Sequence, residues 1–287
     1  MQSLRTKSAG FTLAALIGFA ANSVLCRLAL AQGSIDPASF TAVRLASGAC
    51  MLAILARLMA PKPTAAGPAR QGASWSSALA LFVYAAAFSF AYVQLPAGTG
   101  ALILFGLVQL TMVSWGLLRG ERLGVLQCIG FALAIGGLVG LTAPGVSAPE
   151  PMAALTMCLA GVAWGVYSIR GMGSLNPIGA NAGNFARTLP MAAALLLLMP
   201  GSKPMQASGF WLALASGALA SGLAYSLWYA ALRSLRSTQA AALQLSVPVL
   251  AVLGGVLLLE EAIETRLLLA GAAILCGVAL AVRPSPE

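Results

Sequence analysis

The sequence predicts an all-α integral membrane protein: ten transmembrane helices arranged as two inverted five-helix repeats, with the N- and C-termini both cytoplasmic. Three observations predict it. Mean hydropathy is +0.91, 60% of the residues are apolar and only 8% are charged, far outside the range of soluble domains. Apolar runs of about twenty residues, the length of helix that crosses a hydrocarbon core, recur along the chain. Finally, residues 98–141 and 237–281 spell nearly the same message: an apolar run, a short charged elbow, then a second apolar run.

Placing Gly100 on Ala240 puts Glu121 on Glu261, both 140 apart; placing Gly130 on Gly271 puts Gly136 on Gly277, both 141 apart. A period of about half the 287 residues marks a duplicated membrane unit.

The apolar runs fall at 9–31, 37–60, 75–95, 97–118, 124–142, 152–171, 178–199, 208–232, 237–259 and 264–282. Lipid offers the backbone no hydrogen-bond partner, so a span is a helix or part of a closed barrel. Continuous runs without alternation select helices. The first run follows Arg5 and Lys7 and imitates a secretory signal ending at Cys26. Leu25 stands where a cleavage site needs a small residue, and the repeat needs this run as its first helix. Proline- and glycine-rich breakers at 61–72, 144–151 and 200–209 separate spans. The middle one is read as a periplasmic linker between a first repeat, 1–143, and a second, 152–287. Five spans per repeat turn the second upside down relative to the first. Gly116-x3-Gly120 and Gly136-x3-Gly140 suit close helix contact.

The net charge of +9 does not point to nucleic acid, because the charges follow the spans. With the N-terminus inside, eleven of the sixteen Lys and Arg residues fall on the inner side and two, Lys203 and Arg266, on the outer side. The expected setting is a bacterial inner membrane, multi-pass, with lipid and a small-molecule substrate as partners and a monomeric chain. The cysteines, Cys26, Cys50, Cys128, Cys158 and Cys276, all lie in spans and read as small packing residues.

The remaining arginines, Arg27, Arg44 and Arg187, sit inside spans. An intramembrane arginine costs about 2.5–3.5 kcal/mol on insertion scales and faces a bundle interior or a watery cavity. Arg44 and Arg187 are repeat partners, as are Arg27 and Arg170. For Arg44 and Arg187, a guanidinium fork onto a substrate carboxylate stands beside the plainer role of bonding helix-end carbonyls. Arg27 and Arg170, nearer span ends, are expected to snorkel. Tyr84, Phe88 and Tyr92 recur on one face of the third span, Tyr225, Trp228 and Tyr229 on the eighth, and Trp164 and Tyr167 on the sixth. These aromatics could line a pocket or simply fill a core. Asn22, Gln109, Asn181, Asn184 and Gln244 are the sparse neutral polar groups. Gln244 lies one turn before Pro248, which is expected to free a backbone carbonyl beside it. No acid stands in mid-span and there is no histidine, so no proton carrier is visible. Nucleotide loops, metal clusters and nucleophile–base pairs are absent from the sequence, so neither catalysis nor a cofactor is expected.

Trp164-Gly165, Arg44, Tyr229-Ala230-Ala231-Leu232, Ala241, Pro248-Val249, the elbows Gly120-Glu121-Arg122-Leu123 and Glu260-Glu261, and Gly130, Gly136, Gly271 and Gly277 carry a resemblance. Together, and twice in register, they resemble the drug/metabolite transporter superfamily, and within it the EamA-type ten-helix exporters. The first repeat departs from the pattern with Ala20-Ala21-Asn22 in place of Trp-Gly, and Val108 in place of Pro248. In size the aromatic amino acid exporters (YddG-like) fit best. The resemblance implies export of amino acids or similar small metabolites by alternating access, at a site between the halves. The residues expected to bind substrate are Asn22, Arg44, Tyr84, Phe88, Gln109, Trp164, Arg187, Tyr225, Trp228 and Gln244, with Pro248, Gly130 and Gly271 as hinge or packing positions. The alternatives are a drug or cation exporter of the same superfamily, or a non-transporting membrane scaffold.

Overall fold

The structure, a computed structural model, describes residues 2–59, 73–120, 124–145, 148–172, 174, 176–199, 201, 204–232 and 243–281, with backbone alone at 2–9, 177 and 229–232. The elbow acid Glu121, the side chains of Tyr229 to Leu232, Ala240 and Ala241 and the whole loop 61–72 therefore lie outside the described residues.

Among those residues the chain is helical, with no strand. The helices are α1 (Gln2–Ala31), α2 (Pro37–Leu58), α3 (Trp75–Ala91), α4 (Ala97–Leu118), α5 (Val125–Thr142), α6 (Pro151–Gly171), α7 (Pro177–Leu198), α8, α9 (Ser246–Leu259) and α10 (Thr265–Ala281). Helix α8 is continuous but built of three pieces: Ala207–Gly217, a π-helical segment Ala218–Leu223, and Ala224–Leu232. Six segments are long and apolar enough to cross a membrane: Gly10–Ala31, Pro37–Leu58, Ala97–Leu118, Val125–Thr142, Pro151–Gly171 and Ala207–Trp228. Three shorter apolar helices, Trp75–Ala91, Ser246–Leu259 and Thr265–Ala281, accompany them.

Local sequence explains most helix starts. Asp36 caps α2, its Oδ1 accepting from the Ala38 and Ser39 amides at 3.0 and 2.9 Å, with Pro37 in the first turn. Asn176 and Pro177 repeat that arrangement at α7, Oδ1 accepting from the Gly179 amide at 3.0 Å. Glu150 with Pro151 starts α6, and Ser74 starts α3. Cap and proline together satisfy orphan amides and preset the backbone. Helices α2 (37–58) and α7 (177–198) begin and end 140 residues apart. The elbows match too: Gly120 has φ +90° and Glu260, 140 residues on, is left-handed at φ 56°.

Helix contacts are reciprocal between the halves. Helices α5 and α10 pack together, as do α2 and α7, and α4 and α9. The pair α3–α6 is mirrored by α1–α8, α4–α6 by α1–α9, and α3–α7 by α2–α8. Backbone meets backbone where α5 crosses α10: a Cβ added at Gly130 would lie 2.5 Å from the Gly277 carbonyl oxygen. Gly271, by contrast, faces the Leu102 side chain. At the crossing of α2 and α8 a Cβ on Gly217 would lie 2.1 Å from the Arg44 carbonyl oxygen, so only glycine fits. Large apolar side chains such as Leu58, Leu118, Val125, Leu198 and Leu257 stay exposed on the rim, a lipid-facing surface.

One boundary differs from the sequence reading. Helix α3 stops at Ala91, short of 95, and Tyr92–Leu95, apolar but for Gln94, forms a turn. Leu243 and Gln244 are helical, Leu245 turns, and α9 then runs from Ser246, which puts Pro248 in its first turn, where a missing amide leaves no bond unmade; the expected start of this span, 237–242, lies outside the described residues. Of the cysteines, Cys26 is buried and Cys158 half-buried, while Cys50, Cys128 and Cys276 are exposed rather than packed inside.

Candidate functional site

A central cavity opens where the halves meet. It is lined by Phe19, Asn22 and Ser23 of α1, Tyr84 and Phe88 of α3, Leu104 and Phe105 of α4, Trp164 of α6, Ala220 and Tyr225 of α8, and Gln244 just before α9. Its volume is about 20 Å³, room for a single water and not for a metabolite. Trp164 is the hub of the wall. Its ring centroid lies 4.7 Å from Tyr84 and 5.1 Å from Tyr225, both tilted. Phe19 closes on Tyr225 edge-on at 5.7 Å. Such pairs contribute about 0.5–1.5 kcal/mol each beyond burial.

Behind that wall runs a chain of polar contacts. The Asn22 amide nitrogen donates to Tyr84 Oη at 3.3 Å, and Asn22 Oδ1 accepts from Ser216 Oγ at 2.6 Å. Arg44 Nη2 donates to the same Tyr84 oxygen at 2.8 Å, and Arg44 Nε to Ser221 Oγ at 3.4 Å. Its guanidinium carbon lies 5.1 Å from the Tyr84 ring centre and 4.8 Å from that of Phe88. Arg44 is 2% exposed and its Nη1 has no hydrogen-bond partner. The π segment of α8 delivers two of these groups, Ala220 to the cavity and Ser221 to Arg44; such bulges often mark functional positions.

The sequence-selected residues separate here. Asn22, Tyr84, Phe88, Trp164, Tyr225 and Gln244 meet at the cavity, with Arg44 directly behind it. Gln109 is buried on α4 away from the lining. Trp228 packs against Phe19 at 5.8 Å, outside the lining. Arg187 is half-buried and its Nη1 donates to the Gly183 carbonyl of its own helix at 2.9 Å. Pro248, Gly130 and Gly271 are structural neighbours of other helices and do not line the cavity. Sequence reasoning missed Phe19, Ser23, Leu104, Phe105 and Ala220. Phe19 precedes Asn22 by three residues, so a helical-face argument from that polar residue could have found it.

One end of the bundle is tied by charge. Arg27 reaches the elbow at the end of its span: its Nε meets Glu261 Oε1 at 3.2 Å, and its Nη1 donates to the Tyr92 and Val93 carbonyls at 3.1 and 2.8 Å. Glu261 Oε2 accepts from the Ala97 amide at 2.8 Å and so caps α4, whose own N-cap, Pro96, gives no side-chain bond. The left-handed turn at Glu260 turns the elbow back toward α9, the Glu261 amide donating to the Gly255 carbonyl at 3.1 Å. Arg170 bonds hydroxyls instead, those of Ser77 at 3.0 Å, Ser74 at 3.4 Å and Ser76. The α7 amides join this network: Asn181 accepts from Tyr167 Oη, and Asn184 Oδ1 accepts from the Ser74 amide at 3.0 Å. Among the described residues no group of His, Cys, Asp and Glu could hold a metal.

Fold and site together define a multi-pass membrane protein with a small cavity between two packed halves. Residues 151–283 match the EamA-like transporter family, so the chain carries an EamA-like domain of the drug/metabolite transporter superfamily. It is 55% identical over 273 residues to an uncharacterized protein of Pseudomonas aeruginosa, covering 95% of this chain and 93% of that one. A crystal structure of another protein superposes with a TM-score of 0.63 over 93% of this chain and 95% of that chain. At 23% identity, that likeness shows a shared fold.

Proposed function

We propose that the chain carries amino acids or similar small metabolites out of the cell by alternating access, as a monomer in a bacterial inner membrane. The observation that supports this best is the Trp164 hub: three aromatic helices, α3, α6 and α8, converge with Asn22 and Gln244 on a cavity too small to hold a metabolite. A substrate enters such a site only when the helices part, which is the motion alternating access requires. Asn22, Tyr84, Phe88, Trp164, Tyr225 and Gln244 are the proposed substrate contacts.

The topology proposed is ten spans in two inverted repeats, 1–143 and 152–287, joined by a periplasmic linker at 144–151, with both termini cytoplasmic. The reciprocal helix contacts, the 140-residue offset of α2 and α7 and the skewed distribution of Lys and Arg support it. No carboxylate lines the cavity among the described residues, which counts against an organic cation as substrate.

Proteoliposome flux across a panel of labelled amino acids, with and without a pH gradient, tests the proposal. Counterflow of at least one member is expected without the gradient, since the sequence offers neither a histidine nor a mid-span acid as proton carrier. Absence of flux for every member would leave the scaffold reading.

A further inference from the structure

Arg44 is a full positive charge placed in the most enclosed part of the bundle. It is 2% exposed, and among the described residues the ion pair that forms is Arg27 with Glu261, so no carboxylate answers it. A guanidinium carries five N–H donors. Here one Nε contact at 3.4 Å and one Nη2 contact at 2.8 Å engage it, and Nη1 is buried without a partner. An arginine kept only to join helices would satisfy its donors, because an uncompensated buried charge is strongly destabilising. What holds the cation in this closed state is the pair of rings over it, Tyr84 and Phe88, and both rings also line the cavity.

We infer that Arg44 is the anion-binding group of the central site, and that the substrates carry a carboxylate, which takes up the donors left open when Tyr84 and Phe88 swing away. The inference rests on the transport reading above. A planar fork matches a carboxylate in geometry, and one guanidinium matches it in charge. A phosphate dianion would call for further donors, and among the described residues no cation joins Arg44 by lining the cavity itself. The aromatic wall then takes the apolar body of the ligand. Ser221, held on the π segment, positions Nε, so bulge and arginine act as one device.

The test uses the purified full-length chain and matched pairs differing only at the acid group: phenylalanine and phenylalaninamide, benzoate and benzamide, alanine and alaninamide. Binding is followed by tryptophan fluorescence, since Trp164 stands in the cavity wall. Wild type is expected to favour the acid over its amide by roughly ten- to hundredfold, the worth of one charged hydrogen-bonded contact. Arg44→Gln should bring that ratio close to one. Arg44→Lys should keep only part of it, because an ammonium lacks the fork. Arg119→Gln, on the exposed end of α4, should leave the ratio unchanged. Equal binding of acid and amide by wild type overturns the carboxylate assignment while leaving transport standing, and needs no variant to fold. A monodisperse Arg44→Gln with the wild-type ratio overturns it as well. If no member of any pair binds, the transport reading falls and takes this inference with it.

Discussion

Arg44 and Arg187, paired in sequence, stand 143 residues apart, three positions out of step with the 140-residue offset of α2 and α7, and their surroundings could hardly differ more. Arg44 is sealed among Tyr84, Phe88 and Ser221 with a donor unspent. Arg187 is half-buried and bonds a carbonyl one turn back on its own helix. Their neighbours repeat the contrast: Arg27 meets the carboxylate of Glu261, whereas Arg170 meets serine hydroxyls. A similar place along a helix does not decide a residue's partners, which are set by helices far away in sequence. Charge at Arg27 and Arg44 has a specific partner or an open place for one, while at Arg170 and Arg187 it is met by neutral groups.

The largest effect is expected where α8 touches the Arg44 backbone. Gly217→Val places a side chain against the Arg44 carbonyl, and overpacking of this kind costs about 1–3 kcal/mol or more. The yield of monodisperse protein should collapse; normal yield would mean that α2 and α8 are not in contact there. Second comes Arg44→Met, which exchanges a poorly satisfied charge for apolar volume. Replacing buried charge by packed apolar groups is often neutral or stabilising by about 1–4 kcal/mol. The melting temperature should hold or rise, whereas Arg187→Met should move it little in either direction. A clear fall for Arg44→Met would assign it a structural role. Third, Glu261→Gln keeps an acceptor for the Ala97 amide but removes the charge facing Arg27. About 1 kcal/mol of stability should go, because the pair is partly exposed at 18% and 15%. Arg170→Gln should lose less, since its partners are neutral. The smallest effect concerns the elbows: Glu260→Gly should gain up to about 1 kcal/mol by relieving the left-handed turn that its counterpart Gly120 already adopts with glycine. No gain would mean that the Glu260 side chain compensates.

Much of the fold was legible because helix starts are local. Asp36-Pro37, Glu150-Pro151 and Asn176-Pro177 mark their own positions, and apolar length marks the rest. Helix ends were less legible: three of the four residues in the turn Tyr92–Leu95 are apolar, so composition ran past the end of α3. Within the site, the aromatic faces of α3, α6 and α8 could be read from spacing, but the direction each face turns could not. A helix in lipid is apolar all round, so polarity gives little clue to its inner side. Gln109 and Trp228 therefore looked like Gln244 and Tyr225 in sequence, although the structure keeps them off the cavity. Glu261 belongs to an elbow in sequence; that it caps α4, 164 residues away, is a contact no local pattern encodes.

The most direct measurement places a single reactive cysteine at Ala220, which faces the cavity from the π segment, in a background where the native cysteines are replaced. Ala220→Cys should react with a small thiol reagent, transported substrate should slow that reaction, and the labelled protein should lose flux. Full flux after complete labelling, or labelling indifferent to saturating substrate, would contradict a transport route through this cavity.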